Sequence, residues 1–141
     1  MKQEIKTTKA PQAVGPYSQA IKVGNFIYCS GNIGTDPKIN SVVSGGIREE
    51  TKKTLENLSE VLKAAGVTIN DVIKTTVYLK NLADYPVMNE VYATFFRKPF
   101  PARATVEVAK LPKGALVEIE CVAYAKGDCC GSNCNCGCNC K

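Results

Sequence analysis

Residues 101–125, PARATVEVAKLPKGALVEIECVAYA, are two β-strands joined by a turn. Side chains alternate between the two faces of a strand. In 103–109, Arg103, Thr105 and Glu107 share one face, and Ala104, Val106 and Val108 the other. In 116–125, Val117, Ile119, Cys121 and Ala123 make an apolar face opposite Glu118, Glu120, Val122 and Tyr124. Both strands are expected to turn their apolar side to a core. That leaves Arg103 with Glu118 and Glu120 on the opposite side. LPKG, at 111–114, is the turn signal between them.

Upstream, 26–30 (FIYCS) reads as a strand ending at Gly31, and the β-branched run 72–80 (VIKTTVYLK) as another. Between them, Ile47, Thr51, Leu55, Leu58, Leu62 and Ala65 recur at three- and four-residue steps. This spacing predicts a helix over 47–65, with Gly66 as its stop. Asp84 reads as the N-cap of a second helix, with Pro86 in its first turn and its end near Arg97. Its stripe is Val87, Val91 and Phe95, beside Met88 and Tyr92. The class is α+β: a mixed sheet backed by two helices. One sheet face is left without cover, and a homo-oligomer would supply it.

Composition narrows the chemistry. The chain has 141 residues, 45% hydrophobic and 22% charged, which is globular usage. No apolar run reaches the roughly 18–20 residues of a membrane-spanning helix, and the N-terminus MKQEIKTTKAPQ has no secretory character. With no histidine, there is no His base, no Ser-His-Asp or Cys-His pair and no imidazole metal ligand. Phosphate-loop motifs are absent too. The net charge of +5 is scattered, its longest basic runs being pairs, so nucleic acid is not the expected main partner.

The cysteines divide the chain near Lys126. Residues 1–126 hold Cys29 and Cys121, read as small core residues. Residues 127–141, GDCCGSNCNCGCNCK, hold Cys129, Cys130, Cys134, Cys136, Cys138 and Cys140 and no aliphatic or aromatic side chain. Such a tail cannot join a hydrophobic core. Its thiolates suit Zn²⁺, Cd²⁺ or Cu(I), in a pattern nearer to a metallothionein fragment than to a zinc finger. An added peptide and a scrambled disulfide set are the other readings. Two separated cysteines in the body and no leader point to a reducing cytoplasm.

For the body, spacing alone leaves two readings of each candidate. An Arg fork suits a planar carboxylate and a Glu can move protons, but Arg103 and the two Glu also fit a surface ion pair. The loop GPYSQA, 15–20, sets Tyr17 and Ser18 at a rim where sites often lie, or is a plain loop. Ser30-Gly31-Asn32 allows close backbone approach, or merely ends a strand.

Taken together, GPYSQA, CSGNIG at 29–34, KTTVYLKNLADY at 74–85, MNEVYATFF at 88–96, PARATVEVAKLPKGALVEIE at 101–120 and the ending CVAYAK resemble the RidA/YjgF family of reactive-intermediate deaminases. The matches are collinear over residues 1–126. The resemblance implies a chorismate-mutase-like fold and a homotrimer with sites in the clefts between subunits. It implies hydrolysis of 2-imino acids and their enamine tautomers, such as 2-aminoacrylate, to 2-keto acids and ammonia without a cofactor. Arg103 would clamp the substrate carboxylate, helped by a backbone N–H at Thr105. Tyr17 would pack over the ligand, and Glu120 would hold or activate water. Ser30, Gly31 and Asn89 would line the cleft. Thr105 stands where many members have Cys, and Asn32 where Gln is common. The competing functions are RNA binding or cleavage, and metal chelation with the body as a trimeric carrier.

Overall fold

The computed structural model describes residues 1–127. The tail cysteines assigned above to soft metals therefore lie outside the described residues. The elements are β1 (Lys2–Ile5), β2 (Ala20–Val23), β3 (Phe26–Ile33), β4 (Thr35–Asp36), β5 (Ser41–Val42), α1 (Gly46–Ala64), β6 (Val72–Leu79), α2 (Tyr85–Phe95), β7 (Ala102–Glu107) and β8 (Val117–Tyr124). Six strands form one sheet in the order β1-β2-β3-β8-β6-β7, and β4 and β5 pair separately as a small hairpin. β6 and β7 run parallel, while β8 lies antiparallel to both β3 and β6. The sheet is mixed, as expected, and both helices lie on one of its faces.

The three-four spacing of α1 becomes its packed stripe. Leu55, Leu58 and Leu62 are fully buried against Ile27, Val77, Val117 and Ile119. Each such leucine contributes about 1.5–3 kcal/mol of burial free energy. The stop at Gly66 has the expected geometry. Gly66 adopts φ 80; its N–H donates to Lys63 O at 3.0 Å, and Val67 N–H donates to Leu62 O at 3.1 Å. That double bond is a Schellman cap, which needs a left-handed residue where glycine pays no Cβ penalty. Asp84 does precede α2, but its side chain caps nothing. Asn81 Oδ1 instead accepts from Ala83 N–H at 3.0 Å and starts a short 3₁₀ turn, Leu82–Asp84, that leads into the helix. α2 ends at Phe95, two residues short of the expected end.

One expectation is reversed. Ala104 and Val106 of β7 point away from the helices, Val106 being 43% exposed, while Arg103 and Thr105 point toward the helical side, in register with buried Thr75 and Val77. β8 behaves as expected, with Val117, Ile119, Cys121 and Ala123 buried beneath the helices. Arg103 and Glu120 therefore occupy opposite faces of the sheet. The open face carries Phe26, Tyr28, Val106 and Tyr124, all large and exposed. An apolar side chain on β7 does not identify the core here, because both faces of the sheet are partly apolar.

No helix among the described residues is long and apolar enough to cross a membrane.

Candidate functional site

The open face holds the first half of the site. The β3–β8 register slips between Cys29 and Asn32, so Ser30 and Gly31 leave the ladder as a bulge. Bulges commonly re-aim residues at sites. Here the freed groups meet the loop ending at Gln19: Ser30 N–H donates to Gln19 O at 3.0 Å, and Ser30 Oγ donates to Ser18 O at 2.6 Å. Gln19 is the buried organiser of that loop. Its Oε1 accepts from Thr7 N–H at 2.8 Å, and its Nε2 donates to Thr7 O at 3.1 Å and Pro11 O at 2.8 Å. Tyr17, half exposed, projects from the loop over a cavity of about 470 Å³ whose wall includes Ser30, Gly31, Asn32, Glu118 and Glu120.

A side chain at Gly31 would displace the Glu118 carboxyl. A Cβ there would fall on Glu118 Oε1 and stand 2.9 Å from its Cδ. The glycine thus lets the Glu118 carboxyl lie across the strand at the cavity floor. Burial, and then the neighbouring charge of Glu120, push the Glu118 carboxyl above the usual carboxylate range. Glu120 accepts a hydrogen bond from the Tyr78 hydroxyl at 3.2 Å. Desolvation first, and the two carboxylates after it, raise the Tyr78 phenol. At the rim, Lys113 and Asn40 both adopt positive φ, 56 and 53. Lys113 Nζ donates to Asn40 O at 3.1 Å and to Asn40 Oδ1 at 3.0 Å, tying the LPKG turn to the β4–β5 hairpin.

The second half lies on the helical side, at the free edge of β7. The Arg103 guanidinium sits 4.6 Å from the Tyr92 ring centroid and 5.5 Å from that of Tyr85, and donates to Tyr85 Oη at 2.8 Å. A planar cation stacked on aromatic faces is held without an ion pair, and no carboxylate among the described residues pairs with it. Tyr92 is fixed in turn by a buried 2.7 Å hydrogen bond to Thr75 Oγ1. Desolvation holds the Tyr92 phenol above its ordinary range. Val108 N–H donates to Leu79 O, so by period-two alternation the N–H groups of Arg103 and Thr105 point outward from the edge strand. Thr105 lines a shallow hollow with Leu82, Tyr85 and Pro86, and its buried Oγ1 has no partner among the described residues. Asn89 is half-buried on α2 and does not line the open-face cavity.

Of the expected residues, Tyr17, Ser30, Gly31 and Glu120 therefore come together around one cavity, whereas Arg103, Thr105 and Asn89 lie elsewhere in the chain. Reading the residues in order did not single out Tyr78, Gln19, Lys113 or the Tyr85–Tyr92 pair. Glu118 was legible by alternation, two residues before Glu120, but carried no assigned role. Among the described residues no group of three or more Cys, Asp or Glu is placed to hold a metal ion.

The profile of the family described as Endoribonuclease L-PSP matches residues 7–125. The human 2-iminobutanoate/2-iminopropanoate deaminase is 53% identical over 119 residues, covering 84% of this chain and 87% of its own. A RutC family protein of Pyrococcus horikoshii is 53% identical over 124 residues, 88% of this chain and 98% of its own. Among solved structures, RidA from the Antarctic bacterium Psychrobacter superposes with TM-score 0.84 at 48% identity, over 86% of this chain and 98% of that one. TdcF of E. coli with bound serine superposes with TM-score 0.83 at 34% identity, over 88% and 99%. With the family profile spanning nearly the whole described body and relatives this similar along most of their length, the chain belongs to the RidA/YjgF/L-PSP family.

Proposed function

We propose that this protein hydrolyses 2-imino acids and their enamine tautomers, such as 2-aminoacrylate and 2-iminobutanoate, to 2-keto acids and ammonia. The observation that carries the reading is the meeting of Tyr17, Ser30, Gly31 and Glu120 around one cavity. The deaminase names of relatives at 53% identity support it. The chemistry asks little of the protein. A protonated imine is already electrophilic, so a carboxylate-held water and a positioned substrate suffice, with no cofactor. Glu120 takes the water proton, while Tyr17 packs over the substrate.

The substrate carboxylate falls to Arg103 and the outward N–H of Thr105. Their place on the opposite sheet face means that one chain does not complete the site. In this reading a neighbouring copy brings its β7 edge to the cavity, in a homotrimer whose contacts cover Phe26, Tyr28, Val106 and Tyr124. The six tail cysteines are a separate proposal: a thiolate set for Zn²⁺, Cd²⁺ or Cu(I), with no part in the hydrolysis.

The test couples a threonine dehydratase to this protein and follows 2-ketobutyrate formation. Acceleration that disappears in Arg103→Ala supports the deaminase. No acceleration by the folded protein removes it. A second reading, RNA cleavage, is favoured by the family's description as an endoribonuclease. RNA hydrolysis that survives Arg103→Ala, without imine hydrolysis in the unaltered chain, would establish that reading instead.

A further inference from the structure

The outer wall of the cavity comes from two segments that share no strand. Ile33 and Thr35 stand at the end of β3 and the start of β4, and Pro112 and Lys113 in the turn before β8; all four line the cavity. Two buried polar side chains of α1, Glu50 and Asn57, hold one segment each. Asn57 Nδ2 donates to Ile33 O at 3.2 Å and to Thr35 O at 2.9 Å. Glu50 Oε2 accepts from Leu116 N–H at 2.6 Å, and Ala115 N–H donates to Pro112 O at 3.1 Å, which carries that hold back into the turn. The two segments then close on each other. β4 and β5 pair through Thr35 and Val42, Asn40 N–H donates to Asp36 O at 2.8 Å, and Asn40 takes Lys113 Nζ on both its oxygens. The result is a ring of hydrogen bonds that leaves α1, runs along the cavity rim and returns to α1.

We propose that Glu50 and Asn57 are positioning residues of the imine hydrolysis, fixing the wall that holds the substrate against Glu120 and Tyr17. The inference rests on the deaminase reading and deepens it. Neither side chain lines the cavity; each acts through the backbone it holds. They stand seven positions apart on α1, two turns and about 10 Å of helix. One face of a rigid element therefore sets both segments of the wall, and sites built on such elements are held more closely than sites on loops alone.

The cost of these two groups points the same way. A buried carboxyl and a buried amide are poor fillers for a core-facing stripe unless their bonds are kept. Burial pushes the Glu50 carboxyl above its ordinary range, the Leu116 N–H draws it back, and the charge of Asp84 adds to the rise. In either protonation state an oxygen remains to accept from Leu116. Thr51 and Thr54 lie between them on α1 and are fully buried, yet their Oγ1 atoms have no partner among the described residues. Of these four buried polar side chains, only Glu50 and Asn57 hold the wall. Gly34 removes the slack on the helix side, since a Cβ there would stand 2.8 Å from Glu50 Cα and O.

The experiment measures hydrolysis of an imino acid generated in situ by the full-length chain and by Glu50→Met, Glu50→Gln, Asn57→Leu and Thr54→Val, each well below its melting temperature. Glu50→Met and Asn57→Leu are expected to lower kcat/KM by roughly 10²-fold, the cost of about 1 Å of misplacement. Most of that loss falls in KM, since the wall meets the substrate in the ground and transition states alike. Glu50→Gln restores the parent values, because its amide oxygen still accepts from Leu116 N–H. Thr54→Val, which removes a hydroxyl that holds nothing, leaves them unchanged. A merely structural role gives another pattern: a partly unfolded preparation loses kcat in proportion to its folded fraction and keeps KM. That pattern, or parent kinetics in a folded Glu50→Met chain, overturns the assignment. So does a Glu50→Gln chain as impaired as Glu50→Met. If Glu50→Met fails to fold, Glu50→Asp, which draws the acceptor back by one methylene, is read in its place, and a parent KM there overturns the assignment as well. An unaltered chain that hydrolyses no imine overturns the deaminase reading itself, an outcome distinct from an active parent with an equally active variant.

Discussion

Replacing Gly31 with alanine separates the site from the scaffold. The new methyl would fall on Glu118 Oε1 and lie 2.9 Å from Cδ and 3.1 Å from Cγ. These atoms are the far end of a flexible side chain, so Glu118 can swing away by leaving its rotamer, at a cost of about 0.5–1.5 kcal/mol. For a chain of this size that lowers Tm by about 1–6 °C. The cavity floor is nonetheless lost, and kcat/KM should fall by roughly 10²-fold, the cost of about 1 Å of misplacement in a positioned site. Gly34→Ala is the contrast. Its methyl would meet Glu50 Cα and O at 2.8 Å, which are backbone atoms of α1. The helix must lift, straining the bonds from Asn57 Nδ2 to Ile33 O and Thr35 O. Overpacking plus one buried hydrogen bond comes to about 2–6 kcal/mol. Thermal unfolding by circular dichroism, beside the coupled imine assay, reads both variants. A Gly31→Ala chain that melts as low as Gly34→Ala, or that keeps full kcat/KM, refutes the reasoning.

Other outcomes follow from the same geometry. Thr75→Val leaves the Tyr92 hydroxyl buried without its partner, costing about 1–3 kcal/mol; by loosening the ring beneath Arg103 it should raise KM more than it lowers kcat. Glu50, whose Oε2 accepts from Leu116 N–H at 2.6 Å, has its carboxyl pushed up chiefly by burial. A raised folded value means that the native state holds the proton longer than the unfolded chain. Stability therefore falls as pH rises from the ordinary carboxylate value, 4.5, through the raised one, and Glu50→Gln should flatten that part of a denaturant-midpoint-versus-pH curve. Deleting residues 127–141 should leave imine hydrolysis unchanged while removing thiol-dependent binding of Cd²⁺ or Zn²⁺, read by titration against the full chain.

What the sequence made legible was whatever rests on local periodicity. The leucine spacing of α1, the glycine that stops it and the alternation of β8 each report burial on a single side. β1 and β2, four residues each, were not legible, because strands that short depend on their neighbours rather than on their own pattern. β7 misled for a physical reason: Val106 faces the open side, which is itself apolar, so alternation named the wrong face as core. The site was legible only as a set of residues. Tyr78 meets Glu120 through cross-strand register, and Arg103 reaches Tyr85 and Tyr92 by lying under α2. Neither juxtaposition has a sequence spacing to announce it.

The most direct measurement is complementation between two inactive chains. Arg103→Ala and Glu120→Gln are purified separately, unfolded together, refolded as a mixture, and assayed for imine hydrolysis against each variant refolded alone. A site built from the Arg103 edge of one chain and the Glu120 cavity of another regains intact copies in mixed assemblies, so activity should return well above the level of either variant. Mixed assemblies that form and stay inactive, beside an active unaltered chain, would contradict a site shared between copies.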